Sequence, residues 1–379
     1  MSSGPSTGGM YARDNNAMPL KGLRVCHFGH YDATYSRNRV LRKALGRLGA
    51  QIIPVNDERR FSVRSLSLCL SGLRREYDLL LVGYPGHTDM PLARIVSAVK
   101  HVPIAFDAFM SLYESYVVDQ GTVRANSVTA RRYFVADRVS LALADMVLMD
   151  TGAHISYLVD TFGVPKSKFR RIWAGSDDEV MYPRGGATGS NGFVAFFYGN
   201  FFPMHGIEYI IEAAKILESW AEPVEFVIVG SGQTYPTARE VVERLGVRSV
   251  KFLGRLPYEH LPVVMSQGHV CLGIFGNTQK AQRVIPNKVF DGLAMQRAVV
   301  TADTPAIRES LTHAKNVWLC PAGNGEALAE AIVTLKRDEN LREDIAKNGH
   351  EHFRQHFSIE AISRDLAPVI MELLQRGGR

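Results

Sequence analysis

Two α/β domains, each a doubly wound parallel sheet, facing one another across a central cleft: this is the fold class that the 379-residue chain predicts. Three observations lead to it. Short apolar runs of strand length alternate with segments of helical period, the pattern of parallel strands wrapped by crossover helices. The alternation breaks once, at Tyr182–Gly192 (YPRGGATGSNG), a glycine-rich stretch without apolar period, and then restarts. The length suits two domains or more, and a composition of 46% hydrophobic and 22% charged residues is that of an ordinary globular chain.

In the first half, Leu23–Phe28 reads as a strand ended by Gly29. Arg37–Leu48 then sets Val40, Leu41, Ala44, Leu45 and Leu48 at helical spacing before a stop at Gly49. Strands follow at Gln51–Val55, Leu79–Val82, Val102–Phe106 and Met146–Met149, with helices at Leu66–Arg75, Met90–Val99 and Ala125–Ala144. Beyond the linker, strands fit Phe193–Tyr198, Val224–Val229, Val250–Leu253, Val270–Leu272, Ala298–Thr301 and Val317–Leu319. Helices fit Ile207–Leu217, Ala238–Leu245, Asn287–Met295, Glu326–Leu335, Leu341–Phe353 and Ile359–Leu374. Sheets of this kind bind ligands beyond the carboxyl ends of their strands, so the loops that follow the strands hold the candidate site residues.

No stretch reaches the ~18 consecutive apolar residues of a membrane span. The opening MSSGPSTGGMYARDNNAMPL has no apolar core, so residues 1–19 read as a flexible leader. Cys26, Cys69, Cys271 and Cys320 form no C-x-x-C pair, which argues for reduced core thiols in a cytoplasmic protein over a zinc cluster or a disulfide framework. The net charge of +6 lies in residues 1–180, which hold 23 Lys/Arg and 17 Asp/Glu. It is densest in residues 37–75, where ten Lys/Arg face only Asp57 and Glu58. Such a run is either a solvated face or an attractor of phosphates and anionic lipid heads. It carries no nucleic-acid motif, and Phe61 is its one aromatic, so nucleic acid is not an expected partner.

Signatures of a P-loop, a dinucleotide fingerprint after the first strand, a hydrolase elbow and an H-E-x-x-H zinc site are absent from the sequence. The second half instead carries an ordered set of short motifs. Tyr198-Gly199-Asn200 is followed by His205-Gly206-Ile207-Glu208 at the start of a helix, and by Val229-Gly230-Ser231-Gly232 after a strand. Phe252-Leu253-Gly254-Arg255-Leu256-Pro257 comes next, then Lys280 to Met295 (KAQRVIPNKVFDGLAM) and Ala298–Thr301. Gly199, Gly230 and Gly254 each follow a strand, where a missing side chain lets a ligand approach the backbone. Pro286 and Asn287 stand at a helix start, whose free N–H groups suit an anion such as a diphosphate. Asn287 and Asp291, four residues apart, share a helix face.

This set resembles the nucleotide-sugar half of the retaining glycosyltransferases of family four (group 1), and among them a subset with GxxxPxHG and KAxRVIPNK patterns. The resemblance spans residues 190–355 and extends to the first half in layout only. It implies the GT-B fold, two Rossmann-like domains facing a cleft. Residues 20–182 are then the acceptor domain, 183–192 the linker, 193–356 the nucleotide-sugar domain, and 357–379 a helix packing back on the first domain. It implies transfer of a sugar, with retention and without metal, from a nucleotide-diphosphate sugar to an acceptor hydroxyl. No cofactor beyond that co-substrate is implied. The expected partners are the sugar nucleotide and a glycan or lipid-linked acceptor. The enzyme is then cytoplasmic, peripheral on the inner face of a membrane through the 37–75 run where the acceptor is membrane-held. Gly199, Asn200, His205, Gly230, Gly232, Arg255, Asn287 and Lys288 surround the donor on this reading. Asp291 stands where the family's second E-x7-E glutamate grips the ribose; the alternative is a solvated helix residue.

Three positions depart from the family pattern. Arg283 replaces the first glutamate of that motif, and Asn200 and His205 occupy the places of the usual diphosphate-binding arginine and lysine. Lys280, Arg283 and Lys288 are expected to restore positive charge beside the leaving diphosphate; the alternative is ordinary surface charges and an impaired donor site. In the first half, the loop from Gly29 faces the donor phosphates, and Arg37 either touches phosphate or is a surface arginine. Tyr84-Pro85-Gly86-His87 is a candidate acceptor wall. Asp107 either bonds the sugar or acceptor hydroxyl or caps its own turn. Asp107, Lys280 and Arg283 are thus the catalytic candidates, and Asp177-Asp178 reads as a turn and not a metal pair. A non-catalytic sugar-nucleotide-binding scaffold, or another GT-B activity such as an epimerase, is the rival reading.

Overall fold

The computed structural model describes residues 18–185 and 192–377. All but the last two residues of the 1–19 leader, and most of the 183–192 linker, lie outside the described residues. The first half runs β1 (Arg24–Gly29), α1 (Ser36–Arg47), β2 (Gln51–Asn56), α2 (Phe61–Arg74), β3 (Leu79–Val82), α3 (Met90–Lys100), β4 (Ile104–Asp107), α4 (Val128–Leu143), β5 (Met146–Met149), α5 (Gly152–Phe162) and β6 (Phe169–Arg171). The second half opens with β7 (Phe193–Gly199), α6 (Ile207–Ser219), β8 (Val224–Gly230), α7 (Tyr235–Leu245), β9 (Val250–Phe252) and α8 (Leu261–Met265). It continues with β10 (Val270–Leu272), α9 (Asn287–Ala294), β11 (Ala298–Ala302), α10 (Pro305–Arg308), β12 (Trp318–Cys320), α11 (Gly325–Arg337), α12 (Glu339–His356) and α13 (Ile359–Gly377).

The strands form two six-stranded sheets, ordered β2-β1-β3-β4-β5-β6 and β12-β11-β10-β7-β8-β9, with every pair parallel. Strands covered by helices on both faces need apolar residues at every position, and β3 (LLLV) and β5 (MVLM) are buried throughout. The order in which strands are added reverses between β1 and β3 in the first sheet and between β7 and β10 in the second, and these switch points open a crevice at the strand ends. Helix starts are capped locally: Ser127 accepts from Ala130 N, and Thr151 from His154 N. The elements that the sequence reading does not include are α5, a helix of eleven residues, and the short β6, α8 and α10. α8 and α10 each begin within a residue of a proline and span five and four residues, too few to show a period.

α13 lies along α1, where Ser363 Oγ donates to the Ala44 carbonyl at 3.3 Å. Farther along, Arg170 Nε donates to Glu372 Oε2 at 2.9 Å. One apolar core runs through this junction, joining Val40 and Leu41 of α1 to Phe290 of α9 and to Phe357, Ile362 and Leu366. All four cysteines are free, and burial pushes the Cys26, Cys271 and Cys320 thiols up to about 12.

The basic 37–75 run does not form one open patch. Arg37 points inward, Arg39 pairs with Glu259 at 2.8 Å, and Lys43 pairs with Asp177 at 2.7 Å and Glu179 at 2.6 Å. Arg64 pairs with Asp89 at 3.1 Å. Among the described residues no helix is long and apolar enough to cross a membrane.

Candidate active site

The strand-end loops of the two sheets enclose a cavity of about 440 Å³. From the first half, Asp32 and Tyr35 reach it after β1, Tyr84 after β3, Phe109, Met110, Ser115 and Tyr116 after β4, and Asp150 after β5. From the second half, Gly199, Asn200 and His205 reach it after β7, Tyr258 after β9, and Lys280 and Val284 to Lys288 after β10. The cavity therefore lies where both switch points meet.

Its second-half wall is built by two loops in backbone contact. Gly206 has φ 62, and a Cβ there would stand 2.3 Å from the Gly276 nitrogen. The His-Gly pair thus brings the β7 loop against the β10 loop, and His205 comes to face Lys288, with Nζ and Nε2 3.3 Å apart. Burial pushes the Lys288 ammonium down to about 7, with Asp291 opposing. Burial, then the Lys288 charge, drives His205 well below its ordinary value, so the ring is neutral. Lys280 donates to Ser115 Oγ at 2.7 Å, and burial lowers its pKa against the pull of Glu114 and Asp119. The first turn of α9 completes the wall, with Asn287 Oδ1 buried and without a partner. Two buried amines and a helix start suit an anion of more than one charge.

Several predicted residues lie elsewhere. Arg37 and Asp107 do not face the cleft: both are fully buried and pair with each other, Nη2 to Oδ1 at 2.8 Å and Nε to Oδ1 at 3.0 Å. The other guanidinium nitrogen donates to the carbonyls of Ile172 and Trp173, each at 2.8 Å, so neither residue has a group left for a ligand. Arg283 also turns from the cavity, with Nη1 2.6 Å from Glu114 Oε1 and its guanidinium over the Tyr157 ring. Asp291 is fully buried beneath the wall and takes hydroxyls from Ser176, Tyr198 and Tyr258. Burial lifts its carboxyl to about 6 against those three donors. Tyr198 and Tyr258 line the cavity themselves, so a ribose could reach Asp291 only by displacing them. Gly29 packs on Asp89, and Gly230 and Gly232 pack against the backbone of Gly199 and Asn200. Arg255 is exposed and bonds the Ser231 carbonyl at 3.3 Å.

No sequence pattern announces the charged group on the first-half side. The chain after β4 winds into a π-helical turn, Glu114–Asp119, that carries Glu114 inward. Glu114 Oε2 lies 3.0 Å from His154 Nε2, and His154 Nδ1 lies 3.3 Å from Asp150 Oδ1. Burial opposes both charges, yet the two carboxylates raise His154 to about 9, and His154 with Lys280 and Arg283 brings Glu114 down to about 2. Asp150 is the buried carboxylate that borders the cavity. Tyr35, Tyr84 and Phe109 form an aromatic cluster with ring centroids 5.3 to 6.0 Å apart, and Phe109 sits in the left-handed region at φ 51. Among the described residues no three His, Cys, Asp or Glu side chains are arranged to hold a metal ion.

Two facing doubly wound domains with a cavity at both switch points define the GT-B class of fold, and solved structures agree. HepE of Anabaena, solved with UDP and glucose, superposes with a TM-score of 0.71 at 16% identity, covering 92% of this chain and 100% of that one. Sucrose-phosphate synthase of Thermosynechococcus elongatus gives 0.72 at 15%, covering 93% and 100%. Residues 184–352 match the family described as Glycosyl transferases group 1. Curated relatives include the alpha-D-kanosaminyltransferase of Streptomyces kanamyceticus, 24% identical over 48% of this chain and 46% of that protein. Another is the phosphatidyl-myo-inositol mannosyltransferase of Mycobacterium leprae (strain TN), 28% identical over 46% and 44%. The chain spans about half the length of these curated relatives in the match.

Proposed function

We propose that this chain is a retaining, metal-independent glycosyltransferase. It moves a sugar from a nucleotide-diphosphate sugar to a hydroxyl of a glycan acceptor that is lipid-linked or membrane-held, and it works in the cytoplasm at the inner membrane face. The observation that carries the reading is the anion wall: Lys280, Lys288 and the start of α9 converge on one cavity between the two sheets. That wall is where a leaving diphosphate gathers charge, and buried donors act more strongly there than in water. Tyr35, Tyr84 and Asp150 border the cavity from the other sheet and receive the acceptor. The acceptor oxygen bonds to the anomeric carbon as the bond to the diphosphate breaks on the same face. The acceptor proton passes to the departing phosphate oxygen, so no protein base is needed.

Thermal shift with UDP, GDP, ADP, dTDP and CDP in chelator tests the donor site, because a ligand at 100 times its dissociation constant stabilises by about 2.7 kcal/mol. One nucleotide that shifts the transition, and a labelled sugar transferred with its anomeric configuration kept, is the expected result. A shift without product favours the scaffold reading, and no shift with any nucleotide overturns the donor site.

A further inference from the structure

A row of four charges joins the segment after β10 to the loop after β5. Arg283 Nη1 stands 2.6 Å from Glu114 Oε1, Glu114 Oε2 stands 3.0 Å from His154 Nε2, and His154 Nδ1 stands 3.3 Å from Asp150 Oδ1. Arg283 belongs to the second half of the chain and the other three to the first, so the row crosses the cleft. Its signs alternate, and the three first-half groups are no more than 3% exposed. Charges buried this deeply depend on the opposite charge beside them. A second bond runs alongside, from Thr151 Oγ1 to the Arg283 carbonyl, so the backbone next to Asp150 is also fixed to the second half. The row ends at the cavity. Asp150 Oδ1 takes the Thr151 N–H at 3.0 Å as well as His154, whereas Oδ2 receives no hydrogen bond among the described residues, and Asp150 lines the cavity. Asp32, the other carboxylate on that lining, is exposed and turned to Thr34, whose N and Oγ1 lie 2.8 and 2.6 Å from its Oδ1.

We propose that Asp150 is a catalytic carboxylate, holding negative charge beside the sugar as the sugar turns cationic, and that His154, Glu114 and Arg283 are positioning residues that set it when the cleft closes. The inference rests on the glycosyltransferase reading. In that reaction the bond from the anomeric carbon to the diphosphate breaks and its electron pair leaves on the phosphate oxygen. The acceptor oxygen bonds to the carbon and passes its proton to that phosphate oxygen, and Asp150 forms no bond. The sugar passes through an oxocarbenium-like state while the diphosphate gains charge at the wall of Lys280, Lys288 and α9. A fixed anion on the facing side stabilises the sugar's charge as that wall stabilises the phosphate's. The His154 imidazolium keeps the carboxylate ionised and fixes its rotation, a hold that Asp32 lacks. Opening the cleft withdraws Arg283 and its carbonyl together, which loosens Glu114 and the Asp150 backbone and leaves the donor inert to water until the site is closed.

The test reads donor cleavage by water, which needs no acceptor. Release of the nucleoside diphosphate is followed from UDP-glucose, GDP-mannose, ADP-glucose, dTDP-glucose and CDP-glucose, with affinity for the diphosphate measured beside it by calorimetry. Asp150→Asn should lower kcat roughly a hundredfold or more and leave that affinity within about threefold. Asp150→Ala should regain rate in sodium formate, which restores a carboxylate, and not in sodium chloride of the same strength. His154→Gln should lower kcat about tenfold, and combining it with Asp150→Asn should cost no more than Asp150→Asn alone, because the two act as one unit. Arg283→Ala should lower kcat at saturating donor as well as affinity, whereas a mere contact between the halves would cost affinity alone. Unchanged kcat in Asp150→Asn, a loss of affinity in place of rate, or no rescue by formate would overturn the assignment and leave the donor site standing. Wild type that binds no nucleotide, or binds one and cleaves none of these donors, would overturn the glycosyltransferase reading and this inference with it.

Discussion

Lys288 changes charge near neutral pH, which turns the anion wall into a quantitative prediction. Burial brings its ammonium from an ordinary 10.5 down to about 7, while His205, 3.3 Å away, stays neutral throughout. A nucleoside diphosphate seated on the wall binds the ammonium form. With a free-state value near 7 and a higher value in the complex, the dissociation constant rises about eightfold between pH 6.5 and pH 8, or about 1.2 kcal/mol. Binding at pH 8 then takes up about 0.9 proton. The ligand's own last ionisation, near pH ~6, works in the opposite sense and cannot produce this loss. Titration calorimetry in two buffers of different ionisation heat reads the proton count directly. The burial that tunes Lys288 also destabilises the fold, because the unfolded chain holds the proton far more tightly. Lys288→Met should therefore raise the melting temperature at pH 7 while removing the pH-dependent part of binding. No proton uptake at pH 8, or the same slope in Lys288→Met, would refute this account of the wall.

The buried Arg37–Asp107 pair makes Arg37→Ala a folding variant: losing one partner should cost about 3–5 kcal/mol in chemical denaturation. Normal stability with lost nucleotide binding would instead put Arg37 on the ligand. Gly206→Ala should lower both melting temperature and nucleotide affinity, because its Cβ meets the Gly276 backbone; Gly246→Ala, at φ 63 with open space, should cost only about 1 kcal/mol and leave binding alone. His154 is raised above its unfolded 6.5 to about 9, so its contribution is fully present below pH 6.5 and lost as pH rises through 9. Up to about 3 kcal/mol should disappear across that window in wild type, with a flatter melting profile in His154→Gln.

What the sequence conveyed depended on how local each property is. The buried strands LLLV and MVLM declare themselves, because a strand covered on both faces has no polar position to spare. The Gly199–His205 and Lys280–Lys288 segments were readable for the same reason: a helix start, a glycine after a strand and a cation nearby are features of contiguous residues. The partners of buried charges are not contiguous. Arg37 and Asp107 are 70 residues apart, and the hydroxyls on Asp291 come from 115, 93 and 33 residues away. An aspartate at a strand end reads alike whether a sugar or an arginine meets it, so Asp107 and Asp291 looked available for ligands. Glu114 and His154 were silent because a π-helical turn, which no apolar period announces, carries Glu114 inward.

Arg283 is where the two descriptions conflict, and Glu114 decides between them. If Arg283 supplies charge to the diphosphate, Glu114 competes for it, and Glu114→Gln should tighten nucleotide binding while Arg283→Ala weakens it a hundredfold or more by roughly 3 kcal/mol of lost charge-assisted bonding. The geometry argues otherwise. Arg283 Nη1 stands 2.6 Å from Glu114, and the carbonyl of Arg283 accepts from Thr151 Oγ1. Thr278 bonds Asp119 at 2.8 Å, Lys280 bonds Ser115 at 2.7 Å, and Glu309 accepts from Gly152 and Ala153 at 2.8 and 2.7 Å. Residues 278–283 thus clasp the second sheet's loops to the π-helical turn of the first. A clasp favours the closed cleft that a nucleotide sugar needs on both sides, so both Arg283→Ala and Glu114→Gln should weaken binding, each by about 1–2 kcal/mol, with the double variant no worse than the stronger single one. Opposite signs for the two substitutions would return Arg283 to the phosphate.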